Sequence, residues 1–338
     1  MKALVYCGPH EMRWEDWPDP QPGPGEVLIA VCAVGICGSD LHGYTGESGH
    51  RQPLMVMGHE ATGEVIALGA DVAEDVLGMR VVMRPILACG TCDQCRAGHL
   101  NRCRNRRFLG VTVDGAMAER VVLPLDNVLP LPDGVSFVDG ALTEPLAVAL
   151  HAAHQAGNLS GCSVLIAGSG PIGLLILAAA QEAGAGPIVM TDIIPKRRAT
   201  AIAMGADAAL DPTMEGWQRK LADIITVPEV DVAFDAVGIP ATFNQALGTV
   251  RPGGTVVAIG GWRAVRLDLN QVVTREVRIQ GTFNFSSEEF DVARRWLGEG
   301  RVEASALITD IRPLAEGAAV FARLVRGRGN TIKVVLTS

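Results

Sequence analysis

Apolar residues follow two different rhythms along this chain. Up to about residue 145 they fall in short runs closed by glycine or proline, such as EVLIAVCAVG, ATGEVIALG and MRVVMRP. Runs of this kind predict the strands of a mostly antiparallel β domain. From about residue 148 to 286 they alternate between strand-like and helix-like lengths. CSVLIAGSG predicts a buried strand, PIGLLILAAAQEAG an apolar helix, PIVMTD a second strand and PKRRATAIAMG a second helix. VDVAFDAVG and GGTVVAIGG predict two further strands, with ATFNQALGTV between them. That alternation predicts a parallel sheet covered on both faces. The last fifty residues are mixed again, with helices predicted over 286–297 and 313–325 and a final strand in IKVVLT.

Length and charge narrow the classes. At 338 residues the chain exceeds what one compact core holds, so two domains are expected. With 48% hydrophobic and 20% charged residues it reads as an ordinary soluble globular protein. A net charge of -8 gives a field that repels nucleic acid and anionic membranes, so neither is an expected partner. The opening MKALVYCGPHEMRWEDW has no apolar signal segment, and the apolar window at 172–180 falls well short of a membrane span. A cytoplasmic location is therefore expected. Thiols stay reduced there, so clustered cysteines point to metal rather than to disulfides.

VLIAGSGPIG fits G-x-G-x-x-G at Gly168, Gly170 and Gly173. It follows an apolar strand, and Pro171 and Ile172 open a helix, which is the context that gives the motif meaning. The first glycine makes the tight turn, the second lets backbone approach a pyrophosphate, and the third lets helix and strand pack closely. The helix N-terminus then offers free N–H groups to phosphates. Asp192 lies 19 residues past Gly173, where a carboxylate accepts hydrogen bonds from ribose hydroxyls and repels a 2′-phosphate, favouring NAD. Lys196, Arg197 and Arg198 follow closely. They read as a solvated first turn of a helix, with pairing to a 2′-phosphate as the alternative.

Four of the eight cysteines lie in CGTCDQCRAGHLNRC, spaced C-x2-C-x2-C-x7-C. Four thiolates suit a closed tetrahedral zinc site or an iron–sulfur cluster. A bacterial ferredoxin run has three residues before its fourth cysteine and a proline after it, whereas here there are seven, and Arg104 follows Cys103. Apart from this cluster stand Cys37 in GICGSDLH, His59 and Glu60 in GHE, and Glu144 in LTEPLAVALHA. A cysteine, a histidine and a carboxylate suit Zn²⁺, and three protein ligands leave a fourth position open, the mark of a catalytic zinc.

GICGSDLH, GHEATGEV, the four-cysteine stretch, TEPLAVALHA, AGSGPIG and FDAVG together resemble the zinc-dependent medium-chain dehydrogenase/reductase family over nearly the whole chain. The resemblance implies an α/β protein in two domains. A GroES-like, mostly-β catalytic domain would take 1–147 and 287–338, with a structural zinc lobe at 84–105. A Rossmann doubly wound parallel-sheet domain would take 148–286, with the active site in the cleft between the two. Cys37 and His59 become ligands of a catalytic zinc, and Cys89, Cys92, Cys95 and Cys103 those of a structural zinc. Alcohol dehydrogenases of the family carry a second cysteine near position 144; Glu144 here resembles the polyol and threonine branch, in which Glu60 or Glu144 binds zinc directly or through water. Ser39 and His42 match the proton-relay positions, and Tyr44 matches a substrate-pocket position. NAD contacts are expected from Gly168, Gly170, Pro171, Ile172, Gly173, Asp192, Arg197 and Val237.

The function implied is hydride transfer between NAD(H) and a polyol or other secondary alcohol, giving the ketone, with NAD and two zinc ions per chain. Alternatives on the same fold are an L-threonine-type amino alcohol dehydrogenase and a sugar-alcohol-phosphate dehydrogenase. Cys37, His59 and the cysteine lobe argue against a zinc-free quinone or enoyl reductase. An iron–sulfur electron carrier is the alternative of another class. A homodimer or homotetramer is the implied assembly. Arg96, Arg102, Arg104, Arg106 and Arg107 read as offsetting the thiolate charge, with a phosphate grip by Arg106 or Arg107 as the sharper alternative. Cys7, Cys32 and Cys162 read as buried packing residues, as do His151 and His154.

Overall fold

The computed structural model describes residues 1–260, 264–327 and 329–338. The chain divides into two compact units, Met1–Glu144 with Ser286–Ser338, and Pro145–Phe285. The first change of unit falls inside the helix Thr143–Ala156.

The first unit is built on a seven-stranded sheet among the described residues. Its path runs Val128–Pro130, Arg80–Met83, Glu60–Leu68, Glu26–Gly35, Lys333–Thr337 and Ile308–Pro313, and Arg120–Pro124 also pairs with Glu26–Gly35. A smaller sheet joins Glu11–Asp16, Lys2–Gly8 and Met55–Val56. The pairings are antiparallel as the short glycine-bounded runs predict, with one exception. Ile308–Pro313 runs parallel to Lys333–Thr337. A parallel pair needs a crossover, and the helix Gly317–Arg326 supplies it. That helix turns Val320, Phe321 and Leu324 inward, at positions i, i+1 and i+4 along one face. They join Tyr6, Ile29, Met57, Met83, Met117 and Leu123 in one hydrophobic core of this unit.

The second unit holds a six-stranded, all-parallel sheet among the described residues. Its order is Ala208–Leu210, Ile188–Thr191, Val164–Ala167, Val230–Asp235, Val250–Ala258 and Arg278–Gly281. Numbered along the chain this is 3-2-1-4-5-6, the doubly wound dinucleotide-binding arrangement. Val164–Ala167 and Ile188–Thr191 are buried at every position, which is why their sequences are continuously apolar. The last glycine of GGTVVAIGG, Gly261, lies outside the described residues. Among the described residues no helix is long and apolar enough to cross a membrane.

The turn after Val164–Ala167 is where backbone packing is tightest. Gly168 sits at φ +100°, and a Cβ there would collide with Val237. A Cβ on Gly173 would fall onto the Gly168 carbonyl. The helix Pro171–Glu182 can therefore lie this close to the strand only with glycine at both positions. Gly173→Ala is expected to push the helix outward and destabilise the protein by roughly 1–3 kcal/mol. Denaturant midpoints measured with and without dinucleotide check this, and the variant is also expected to lose cofactor stabilisation.

Candidate active site and metal centres

Cys37 ends the strand Glu26–Gly35 and caps the short helix Gly38–Tyr44. Its backbone N–H donates to Asp40 Oδ2 at 3.0 Å. His59 immediately precedes Glu60, the first residue of the strand Glu60–Leu68, and Glu60 pairs in register with Gly35. Adjacent strands thus bring together residues far apart in sequence. The ligand atoms of Cys37, His59 and Glu60 all lie within 4.8 Å of one another. Glu144 is buried beside them but its carboxylate is outside that grouping.

Two further layers hold this set. Asp40 is fully buried and accepts from Arg51 at 2.7 Å, while His59 Nδ1 stands 3.5 Å from the same oxygen. Arg51 also donates to the carbonyls of Ser39 and Gly110. On the other side Lys333 pairs with Glu60 and donates to the Ile36 carbonyl at 3.1 Å. Neither Asp40, Arg51 nor Lys333 is a residue that motif spacing picks out. Lys333 sits in IKVVLT, where the surrounding apolar residues are the signal and the buried charge is hidden among them.

The electrostatics fit a cation. Burial first, then the charges of Glu60 and Asp40, push the Cys37 thiol up to about 11. Ser39 hydrogen-bonds to the Cys37 thiol and works in the opposite direction. Burial, reinforced by Glu60 and Cys37, pushes Glu144 up to about 8, although His59 and Lys333 pull it down. Burial alone would lower Lys333, but Glu60 and Cys37 outweigh it and raise the ammonium. A thiol and a carboxyl that resist ionisation, Cys37 and Glu144, are groups that a divalent ion stabilises in their charged forms.

The four-cysteine lobe has a different character. The Sγ atoms of Cys103 and Cys89 are 3.5 Å apart, those of Cys92 and Cys95 3.5 Å, and those of Cys89 and Cys95 4.0 Å. Four sulfurs bound at about 2.3 Å to one tetrahedral ion would be about 3.8 Å apart. All eight cysteines are free thiols. Backbone N–H groups of Thr91 and Cys92 bring the Cys89 thiol down to about 6, while burial and then the sulfurs around it push Cys95 up to about 12. Arg104 pairs with Asp93, and Arg106 donates to the Cys103 carbonyl, so both brace the lobe. Arg107 is exposed on the strand Arg107–Phe108.

In the second unit the Gly168–Gly173 turn leaves room above Gly170, where a Cβ would meet nothing within 4 Å. Asp192 is buried, and both of its oxygens bind backbone. Oδ2 accepts from the Ser169 N–H at 2.9 Å and Oδ1 from the Ile194 N–H at 2.8 Å. The basic turn after it is not the solvated face that its composition suggests. Arg197 is buried, and Arg198 donates to the Asp192 carbonyl and pairs with Asp211 at 3.1 Å; only Lys196 is exposed. Pro171 and Ile172 begin the helix as expected, and Val237 is 40% exposed.

Several smaller expectations change. The Tyr44 ring is buried against Phe321 and its hydroxyl donates to the His10 carbonyl, so it serves the core of the first unit. His151 is buried but His154 is exposed, so only the first of the pair packs. Cys7, Cys32 and Cys162 are half-buried rather than buried. His42 is half-buried, with Nδ1 2.8 Å from Glu47 Oε2.

Comparison with known proteins agrees with this geometry. The pattern described as "Alcohol dehydrogenase GroES-like domain" matches residues 23–133, and that of "Zinc-binding dehydrogenase" matches residues 171–299. Sorbitol dehydrogenase of Bacillus subtilis is 34% identical over 99% of this chain and 97% of its own length. Among solved structures, L-idonate 5-dehydrogenase from Escherichia coli superposes with a TM-score of 0.90 at 31% identity, covering 100% of this chain and 98% of the other. A short chain alcohol dehydrogenase from Escherichia coli CFT073, complexed with NADH, gives a TM-score of 0.92 at 27% identity, covering 100% and 99%. The chain belongs to the zinc-dependent medium-chain dehydrogenase/reductase family. Among the described residues, its Cys₄ lobe and its Cys/His/Glu grouping are the two places that could hold zinc.

Two outcomes follow from these environments. Cys95→Ser is expected to lose one zinc per chain and to lower thermal stability, because an ordered lobe loses its anchor; metal analysis paired with a melting curve checks it. In the metal-stripped protein, folded Glu144 titrates near 8 against 4.5 for the unfolded chain. Between those values the folded state holds a proton that the unfolded chain has released, so stability falls as pH rises through the window. Glu144→Gln is expected to flatten that part of the curve of urea midpoint against pH.

Proposed function

We propose that the protein is an NAD(H)-dependent zinc dehydrogenase of the polyol branch, interconverting a polyol or other secondary alcohol and its ketone. The observation that carries this reading is the grouping of a half-buried cysteine with a buried histidine and a buried glutamate, with a second buried glutamate beside it. That set has no second cysteine, and its similarity to sorbitol and L-idonate dehydrogenases supports the same chemistry.

In this reading Cys37, His59 and Glu60 hold the catalytic zinc, and Glu144 orients the water or substrate that completes the site. Bound there, zinc supplies a Lewis acid that makes an alcohol hydroxyl more acidic. Asp40, whose carboxylate stands 3.5 Å from His59 Nδ1, would help to orient the ring toward the ion. Ser39 and His42 carry the alcohol proton outward, and the Glu47 carboxylate on His42 Nδ1 orients the imidazole that delivers it. Cys89, Cys92, Cys95 and Cys103 hold the structural zinc, which has no open position and does no chemistry.

The Gly168, Gly170 and Gly173 turn and the helix N-terminus at Pro171 and Ile172 would hold the dinucleotide's pyrophosphate, with open space above Gly170 to receive it. Asp192 faces the adenosine ribose and disfavours a 2′-phosphate; Arg197 and Val237 complete the contacts. The cofactor brings the hydride chemistry, and the protein brings position and charge. We assign the enzyme to the cytoplasm, in keeping with its free thiols. We also assign it to a homo-oligomer, dimer or tetramer, in keeping with Leu269 and Val273 exposed four residues apart on one helix.

The test is metal analysis joined to an oxidation screen. Two zinc ions per chain, NAD reduction with polyols and little turnover with NADP are expected. Fully active enzyme with one zinc or none, or a wild-type preference for NADP, overturns the assignment. Faster oxidation of L-threonine or of a sugar-alcohol phosphate than of any free polyol would move the enzyme to those branches.

A further inference from the structure

Lys333 is an unusual residue for its place. It lies in a central strand, between Ile332 and Val334, with 2% of its side chain accessible. A buried ammonium costs several kcal/mol unless a partner is fixed beside it. The partner is Glu60, reached across two strand pairings. Gly35 stands opposite Glu60 on one side and opposite Val335 on the other. The Ile36 N–H donates to the Val334 carbonyl at 3.0 Å, which carries the same register on to Cys37 and Lys333.

Gly35 is what makes the seat. Its backbone needs no left-handed conformation, so conformational freedom does not explain a glycine here. Space does. A Cβ on Gly35 would fall inside the Glu60 carboxylate, 3.0 Å from Lys333 Cε and 3.2 Å from Glu60 Cβ.

We propose that Lys333 and Gly35 are positioning residues for the metal set: Gly35 leaves the space in which Lys333 holds the Glu60 carboxylate, and this hold limits how strongly Glu60 engages the zinc. The inference rests on the assignment of zinc to Cys37 and His59 above. The charges support it. Cys37 thiolate, Glu60 and Glu144 bring three negative charges, and zinc with Lys333 brings three positive ones. Without Lys333 the set carries one negative charge in excess, and Glu60 has no competitor for its oxygen. Zinc is then held more tightly, and a ligand position that substrate needs to have loosened is closed.

The experiment follows release of the catalytic zinc from intact enzyme to a chromogenic chelator. Cys37→Ser serves as the control that identifies that ion. Should Cys37→Ser keep both zinc ions, the site assignment itself fails, whatever Lys333 does. With that control in place, Lys333→Met is expected to slow release by about ten-fold, opposite in sign to the loss of affinity that removing an outer partner usually brings. Lys333→Arg, which keeps the charge, is expected to release zinc at close to the wild-type rate. Gly35→Ala retains every charge and tests the seat independently, even if the methionine variant does not fold. In its cobalt-substituted form the visible absorption bands are expected to shift as Glu60 is displaced. Unchanged or faster release from folded Lys333→Met, or unchanged cobalt bands in Gly35→Ala, overturns the proposal.

Discussion

Removing a carboxylate from water costs several kcal/mol unless a counter-charge goes with it. The first unit buries two, Glu60 and Glu144, together with the Cys37 thiol. Most of the surrounding polar structure answers that cost. Lys333 faces Glu60 from one strand, and Arg51 faces Asp40 from the loop on the other side. Asp40 in turn ties down the Cys37 amide. The strands Glu26–Gly35, Glu60–Leu68 and Lys333–Thr337 are neighbours in one sheet, so sheet register sets these distances. A divalent ion completes the arrangement by supplying the positive charge that the protein side chains leave short.

The two metal centres divide the labour by burial and by ligand count. In the lobe, four thiols within one short stretch approach to tetrahedral spacing, and their order comes from local turns. At the other grouping a cysteine from one segment meets an adjacent histidine and glutamate from another, and a carboxylate stands where a further sulfur could. A harder ligand set leaves more Lewis acidity at the ion, which suits an oxygen substrate. In the second unit the charge problem is solved by backbone dipoles instead. Asp192 is satisfied by two peptide N–H groups, which fixes the Gly-rich turn to the end of the second strand.

Features that rest on local pattern were legible in the sequence. Continuous apolar runs marked the buried strands at Val164–Ala167 and Ile188–Thr191, and the glycine spacing marked the turn. The two edge strands of that sheet, Ala208–Leu210 and Arg278–Gly281, were not legible, because runs of three and four residues with none fully buried are too short to show a strand pattern. The parallel pair at Ile308–Pro313 was missed for a similar reason: five of its six residues are charged, polar or exposed. Spacing could not join Cys37 to His59 and Glu60, since sheet register rather than sequence distance makes them neighbours. Lys333 and Arg51 were beyond reach for the opposite reason. Each looks like a surface charge until its partner is placed.

The strand that delivers Lys333 is synthesised long after the segment it meets. Its ammonium meets the Ile36 carbonyl across a separation of 297 residues. At roughly 5–20 residues per second on a ribosome, roughly 15–60 s pass between the two. During that interval Cys37, His59 and Glu60 are already outside with no lysine among them, and the sheet lacks a central strand. Until then the Glu60 carboxylate lacks the Lys333 ammonium that faces it in the folded protein. The lobe draws its sulfurs from the single stretch Cys89–Cys103 and waits on no distant strand.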